Sequence, residues 1–450
     1  MKLWDKNTAT DKLIEKFTVG NDRETDLFLA QYDVLGSMAH IIMLNKAGLL
    51  SDRDLEALLE ELGLIYSDIS NGIFKIDDGI EDVHSQVEFI LTRKLGDTGK
   101  KIHSARSRND QVLLDIKLFV RDKLTEIVQL THNLFEILIS LSERYKDYLI
   151  PGYTHLQVAM PSSFGLWFGA YAESLTEDMI LLQAAYRIAD QNPLGSAAGY
   201  GSSFPIDREQ TTTLLGFSTM NFNVVHAQMG RGKLERITAM ALANLAGTLS
   251  RMANDVCLFN SQNFGFVSLP DELTTGSSIM PHKKNPDVFE LIRSKCNRIQ
   301  SLPADISHIL VNLPSGYFRD FQVIKEILFP SFGSLIECLE TASYSVSQIT
   351  PARDILNDKR YEYVFTVEEV NRKVLEGIPF RDAYKQVAAS IADGSYKPDS
   401  RVNHTHQGSL GNLCNDRIVE KMERILSDFD FEKARKAVDN LLKRSGYGKQ

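Results

Sequence analysis

Between Asp110 and Ile150 the chain contains neither proline nor glycine. These are the two residues that most readily end a helix. Apolar side chains recur through the window at helical spacing, from Val112, Ile116 and Phe119 through Leu124, Ile127 and Val128 to Leu134, Leu138 and Leu141. The pattern predicts one helix of ~40 residues, about 60 Å long at about 1.5 Å per residue. That is far longer than a typical globular helix, and its apolar stripe needs other elements to cover it.

Similar stretches follow at 162–190, 233–263, 286–312 and 321–349, with Pro303 and Pro330 expected to kink or break the last two. Long helices in succession imply a bundle. Several, such as Ile237–Leu249, are apolar on more than one face, as in a bundle that packs against other subunits. The first hundred residues read as shorter helices near 22–47 and 51–71, joined through Gly72–Gly79. After about residue 355 short helices return around the loop Gln407–Asn412. A chain of 450 residues exceeds one ordinary core. The expectation is an all-α subunit in three domains, 1–108, 109–352 and 353–450, with the long helices in the middle one.

Acidic residues outnumber basic ones, 59 to 50, for a net charge of −9. That disfavours a general nucleic-acid binder. No run reaches the roughly 18–20 apolar residues that cross a bilayer, and Met1–Lys6 lacks the apolar core of a signal peptide. Cytosol is the expected compartment and no membrane partner is expected. Cys257, Cys296, Cys338 and Cys414 lie far apart without CxxC pairing, so reduced thiols are expected rather than a zinc site. His404 and His406 have metal-like spacing but no accompanying Cys or carboxylate cluster, and no metal is expected.

The chemistry concentrates elsewhere. Gly276-Ser277-Ser278-Ile279-Met280-Pro281-His282-Lys283-Lys284-Asn285-Pro286 gathers two hydroxyls, two ammonium groups and a carboxamide ahead of a helix start. Such a loop suits binding and reacting with carboxylates. Arg106, Arg108 and Asn109 stand directly before the longest helix, where arginine forks bind carboxylates and Ser107, Asn109 or Asp110 can also serve simply as caps. Thr154 and His155 sit in a breaker-rich turn, and histidine titrates near neutrality. Tyr317, Gln322 and Lys325 offer two neutral hydrogen-bonding groups and a charge. Glu81-Asp82 offers carboxylates that either meet a cationic substrate group or cap a helix.

The Gly276–Pro286 run matches every fixed position of the signature loop GSSxMPxKxNP of the fumarase/aspartase superfamily. Ser107–Gln111, Tyr153–Gln157, Met280–Asp287 and the Tyr317…Asp320…Gln322…Lys325-Glu326 pattern resemble the argininosuccinate lyase branch of that superfamily, over about Asp26 to Thr350 with a weaker tail. The resemblance implies a homotetramer around a shared helical bundle, with each active site assembled from three subunits. It implies reversible, cofactor-free elimination of argininosuccinate to arginine and fumarate. By resemblance Ser277 and His155 are the acid–base pair, with Ser277 as base, and Glu290 orients His155. Lys283 and Asn285 stabilise the carbanion carboxylate. Asn109, Thr154, Ser278, Tyr317, Gln322 and Lys325 match substrate positions, joined by Arg106, Arg108 and Asp82.

The sequence departs from the family pattern in places. The family commonly carries a substrate-contacting serine about four residues before the aspartate that aligns with Asp26; that place falls in Gly20–Arg23, with Asp22 the nearest match. After Ala227 the common Arg-Asp-Phe is Arg231-Gly232-Lys233, and His282 stands where glutamine is frequent. These differences bear on whether the substrate is plain or modified argininosuccinate. The alternatives are another fumarate-releasing lyase of the superfamily and a non-catalytic structural homologue.

Overall fold

The computed structural model describes residues 12–447. It opens with α1 (Lys12–Val19), α2 (Asp22–Asp26), α3 (Ala30–Lys46), α4 (Asp52–Ser70), α5 (Val83–Leu95) and the one-turn α6 (Asp97–Lys100). The chain then enters α7 (Arg108–Arg144), the hairpin β1 (Leu149–Thr154) and β2 (Gln157–Ser163), and α8 (Phe164–Ala189). The short α9 (Arg208–Leu214) and α10 (Val224–Met229) lead to α11 (Lys233–Asn260), α12 (Asp287–Ile299), α13 (Leu302–Ile309) and α14 (Phe321–Ser347). Helices α15 (Thr366–Leu375), α16 (Phe380–Ala392), α17 (Asn415–Leu426) and α18 (Phe431–Arg444) close the chain.

The fold is mainly helical, as the periodicity predicts, with four local corrections, the first being that the helix expected at 22–47 breaks between Asp26 and Ala30 into α2 and α3. The longest helix stops at Arg144, and Leu149–Thr154 pairs antiparallel with Gln157–Ser163 instead of continuing it. The stretch 286–312 splits into α12 and α13, with Pro303 in the first turn of α13, where its missing N–H costs nothing. Pro330 lies inside α14, which nevertheless runs unbroken to Ser347.

Named pairs fix how the long helices run. The end of α7 meets the start of α8 through Ser142 Oγ, which donates to the Gly165 carbonyl at 2.7 Å. A Cβ on Gly165 would lie 2.6 Å from Lys146 Cα, so only glycine permits this approach. At the other end Lys117 Nζ donates to the Ile188 carbonyl at 3.0 Å and Arg121 pairs with Asp190 at 3.0 Å. Helices α8 and α11 are likewise antiparallel: Trp167 donates to Asp255 at 3.0 Å and Asn244 to Asp178 at 2.5 Å. Arg293 to Asn254 at 3.0 Å and Ser250 to Asn297 at 2.7 Å make α12 antiparallel to α11. Arg231 reaches the Phe321 carbonyl at 2.9 Å, so α11 and α14 start together. Arg108 at the start of α7 and Arg319 just before α14 both pair with Glu81, so these helices also start together, and the buried rings of Phe119 and Phe329, 4.5 Å apart, pack between them.

The bundle therefore has two poles. The starts of α7, α11 and α14 share one, here pole A. Their ends, with the starts of α8 and α12, share pole B. One apolar core runs from α3 through the long helices to Leu441, and a second small core under α15 and α16 gathers Val370, Ala383 and Val387. Among the described residues no single helix is long and apolar enough to cross a membrane.

Candidate active site

Pole B carries the loop and the hairpin. Thr275 and Asn285 exchange backbone hydrogen bonds at 3.1 and 2.9 Å, which pinch the signature loop shut at its base. Within it Ser277 Oγ accepts from the amides of Met280 at 3.2 Å and Ile279 at 3.4 Å. Both donors favour a negative oxygen there. The two lysines differ. Lys284 pairs with Asp271, whereas Lys283 is exposed and has no ion-pair partner among the described residues. Asn285 Nδ2 reaches Thr275 Oγ1 at 3.5 Å, and Ser278 is exposed. Glu290 is exposed in the first turn of α12, within electrostatic reach of Cys257.

The β1–β2 hairpin turns through His155 and Leu156, whose φ values are +53° and +57°. Neither residue is at ease there, at a cost of roughly 1–2 kcal/mol each. Thr154 and His155 are exposed at the tip. Tyr153, one residue earlier, packs 5.5 Å from Phe264, just beyond α11. Among the described residues no hydrogen bond or ion pair joins His155 to Ser277 or to Glu290.

Pole A carries an ionic cluster. Ser107 and Asp110 form a reciprocal capping box at the start of α7, and Asp110 also accepts from the amides of Gly195 at 3.0 Å and Ala197 at 2.9 Å. The box sets the backbone of Arg108 and Asn109, and Arg108 pairs with Asp82 and, at 3.4 Å, with Glu81. Asp82 is also the N-cap of α5, accepting from the Ser85 amide at 2.8 Å, so the capping reading holds for Asp82, and its cationic partner is the chain's own Arg108. Burial alone would raise the Asp82 carboxyl; the charges of His84 and Arg108 outweigh it and hold it low. Tyr317 lies within electrostatic reach of Arg108 and stacks edge-on with Phe321 at 5.9 Å. Arg106 donates to Ser37 Oγ at 2.9 Å. Gln322 donates to the carbonyls of Thr18 and Val19 at 3.2 and 2.8 Å, and Lys325 Nζ lies 2.5 Å from Asp22 and 2.5 Å from Asp26.

The sequence-derived candidates thus divide between the poles. Asp82, Arg106, Arg108, Asn109, Tyr317, Gln322 and Lys325 gather at pole A. Thr154, His155, Ser277, Ser278, Lys283, Asn285 and Glu290 gather at pole B. Helix α7, at 37 residues, holds the two groups apart by about 55 Å.

Sequence reading passed over several neighbours. Arg319 pairs with Glu81 and donates to the Thr18 carbonyl at 2.6 Å. Beneath pole A, His84 Nδ1 lies 2.7 Å from Asp33 and 3.5 Å from Asp115, all three buried. Burial would lower the His84 pKa, but the two carboxylates raise it to about 9. These three donors lie within 4.8 Å of one another, close enough for a metal ion, yet a protonated imidazole already fills the cationic role. His404, by contrast, pairs with Glu368 at 3.0 Å.

Residues 5–301 match the family described as Lyase. The chain is 62% identical over 443 residues to a protein of Phocaeicola vulgatus named argininosuccinate lyase, covering 98% of this chain and 99% of that one. The chain belongs to the argininosuccinate lyase family. A second argininosuccinate lyase, from Parabacteroides distasonis, is 61% identical over 441 residues, with 98% and 99% covered. Among solved structures, an EDDS lyase variant with bound fumarate superposes with a TM-score of 0.77 at 20% identity, covering 98% of this chain and 95% of that one. That likeness, at 20% identity, concerns the fold alone.

Proposed function

We propose that the protein cleaves argininosuccinate reversibly to arginine and fumarate, as a cytosolic homotetramer whose active sites are shared between subunits. The near-full-length likeness to argininosuccinate lyases carries the choice of substrate. The separation of the two poles supports the sharing. Side chains about 55 Å apart along one helix can act on one small molecule only if different chains bring their poles together. An exposed, strained hairpin tip is suited to reaching into a neighbour.

In this reading a pole-B loop supplies Ser277 as the base that takes the proton beside a succinyl carboxylate. The amides of Ile279 and Met280 stabilise its alkoxide, and Lys283, which has no ion-pair partner among the described residues, carries with Asn285 the charge that develops on the carboxylate. His155 is the partner acid–base group, oriented by Glu290 of another chain. The C–N bond then breaks and the guanidinium leaves as arginine. The cluster at pole A holds the amino-acid end, and no cofactor is required.

The test is fumarate release, read by ultraviolet absorbance, from argininosuccinate, adenylosuccinate, malate and aspartate. Release from argininosuccinate alone is expected. Ser277→Ala should lower kcat by ~10²–10⁴, the usual weight of a proton-transfer group. Silence on argininosuccinate, or a Ser277→Ala enzyme within about tenfold of the parent, would overturn the assignment or the role.

A further inference from the structure

An imidazole on a hairpin tip is only as well aimed as the hairpin, and this tip has little of its own to aim it. Thr154, His155, Leu156, Gln157 and Val158 are all exposed. Among the described residues none of these side chains makes a hydrogen bond or ion pair. The backbone is left-handed at two successive residues, with φ of +53° at His155 and +57° at Leu156. Such a turn persists only where its surroundings over-determine it. A two-stranded ladder alone is marginal in water. The hold must therefore come from side chains just behind the tip.

Tyr153 is the side chain that supplies it. Its ring meets Phe264 edge-on at 5.5 Å and lies 6.4 Å from Phe266. Tyr361, in the 3₁₀ turn Lys359–Phe365, completes the cluster. Its ring meets Phe266 edge-on at 6.0 Å, and its hydroxyl is within hydrogen-bonding reach of the Tyr153 hydroxyl. Edge-on ring pairs fix orientation as well as distance. The platform beneath is itself tied down. Phe266 and Tyr361 are buried, Arg360 donates to the Asn263 carbonyl at 3.3 Å, and the Ala352 amide donates to the Phe266 carbonyl at 2.8 Å. The segment after α11 and the segment after α14 thus form one seat, and Tyr153 sits in it two residues before His155.

We infer that Tyr153 and Tyr361 are positioning residues, whose aromatic cluster aims His155 at the substrate held between subunits. Neither ring meets the reacting atoms; both act through the imidazole. The inference rests on the proposed cleavage of argininosuccinate, in which His155 is an acid–base group.

The experiment measures fumarate release from argininosuccinate by full-length Tyr153→Ala and Tyr361→Leu, each alone and combined with His155→Asn, with melting curves to establish folding. Either single variant should lose about 10²-fold in kcat, the weight of a misplacement near 1 Å, with KM within about threefold because pole A still binds. Tyr153→Phe and Tyr361→Phe keep the ring packing and should recover to within about tenfold of the parent. Added to His155→Asn, the same substitutions should cost less than about threefold more, since residues that act as a unit are not additive. A merely structural role would repeat the full loss in that background. Amide exchange across residues 153–158 should quicken by about tenfold or more in either folded variant while the long helices keep their protection. A full second loss in the His155→Asn background, or unchanged exchange at the tip of a folded variant, overturns the inference. A parent silent on argininosuccinate removes the proposed reaction and with it the catalytic purpose of the seat, whereas tip exchange still decides whether the two tyrosines hold the hairpin.

Discussion

If one active site draws on pole A of one chain and pole B of another, two different inactive enzymes should repair each other. Asn109→Ala damages pole A, and Ser277→Ala damages pole B. The 37 residues of α7 put about 55 Å between them, so no single chain can present both to one substrate. Equal amounts of the two variants, unfolded together and refolded, should form mixed oligomers. With random assortment each site receives an intact pole A half the time and an intact pole B half the time. About a quarter of the sites should then be whole, whatever the detailed symmetry. The assay is fumarate release from argininosuccinate, with each variant refolded alone as the baseline. Recovery near a quarter of parental activity is the expected result. A mixture no more active than its components, although native electrophoresis shows mixed oligomers, would refute the shared-site argument.

The two loop lysines should separate functionally. Lys283→Met should lower kcat by about 10²–10³ through loss of charge stabilisation, whereas Lys284→Met, which loses only its Asp271 partner, should stay within about tenfold. The buried His84 makes stability pH-dependent. Its folded pKa of about 9 lies above the unfolded 6.5, so its contribution is whole below about 6.5 and is lost as pH rises through 9. Denaturant midpoints should therefore fall between pH 7 and 10, by a contribution of up to about 3 kcal/mol, and His84→Gln should flatten that decline. A His84→Gln profile parallel to the parent's would remove the assignment.

Much of this architecture is legible in the chain because helical periodicity is local. The window around Val112–Leu141 announces α7, and the runs behind it announce α8, α11 and α14. The helix is read too far at its end because Leu149 and Ile150 continue the apolar rhythm. What stops it is pairing with Ser162 and Ser163, and Pro151 facing Pro161 masks the alternation that would betray a hairpin. Pro330 misleads in the opposite direction, since packing of the surrounding turns holds α14 together across a missing donor. The signature loop is visible because its residues are contiguous. The clamp on Lys325 is not, because Asp22 and Asp26 approach from some three hundred positions away, and nothing near Lys325 hints at them. The division into poles follows from helix direction, which chain order implies but local pattern does not express.

The turn at His155 and Leu156 places two opposed selective pressures on adjacent positions. Glycine or asparagine at either would relieve a left-handed backbone that both residues now tolerate at a cost of roughly 1–2 kcal/mol. At 156 that relief is free to be taken; at 155 it deletes an imidazole. A population of variants enriched for heat resistance should drift toward small residues at both sites, whereas one enriched for turnover should relax only at 156. The hairpin tip would then record, in two neighbouring letters, which demand the protein had been made to meet.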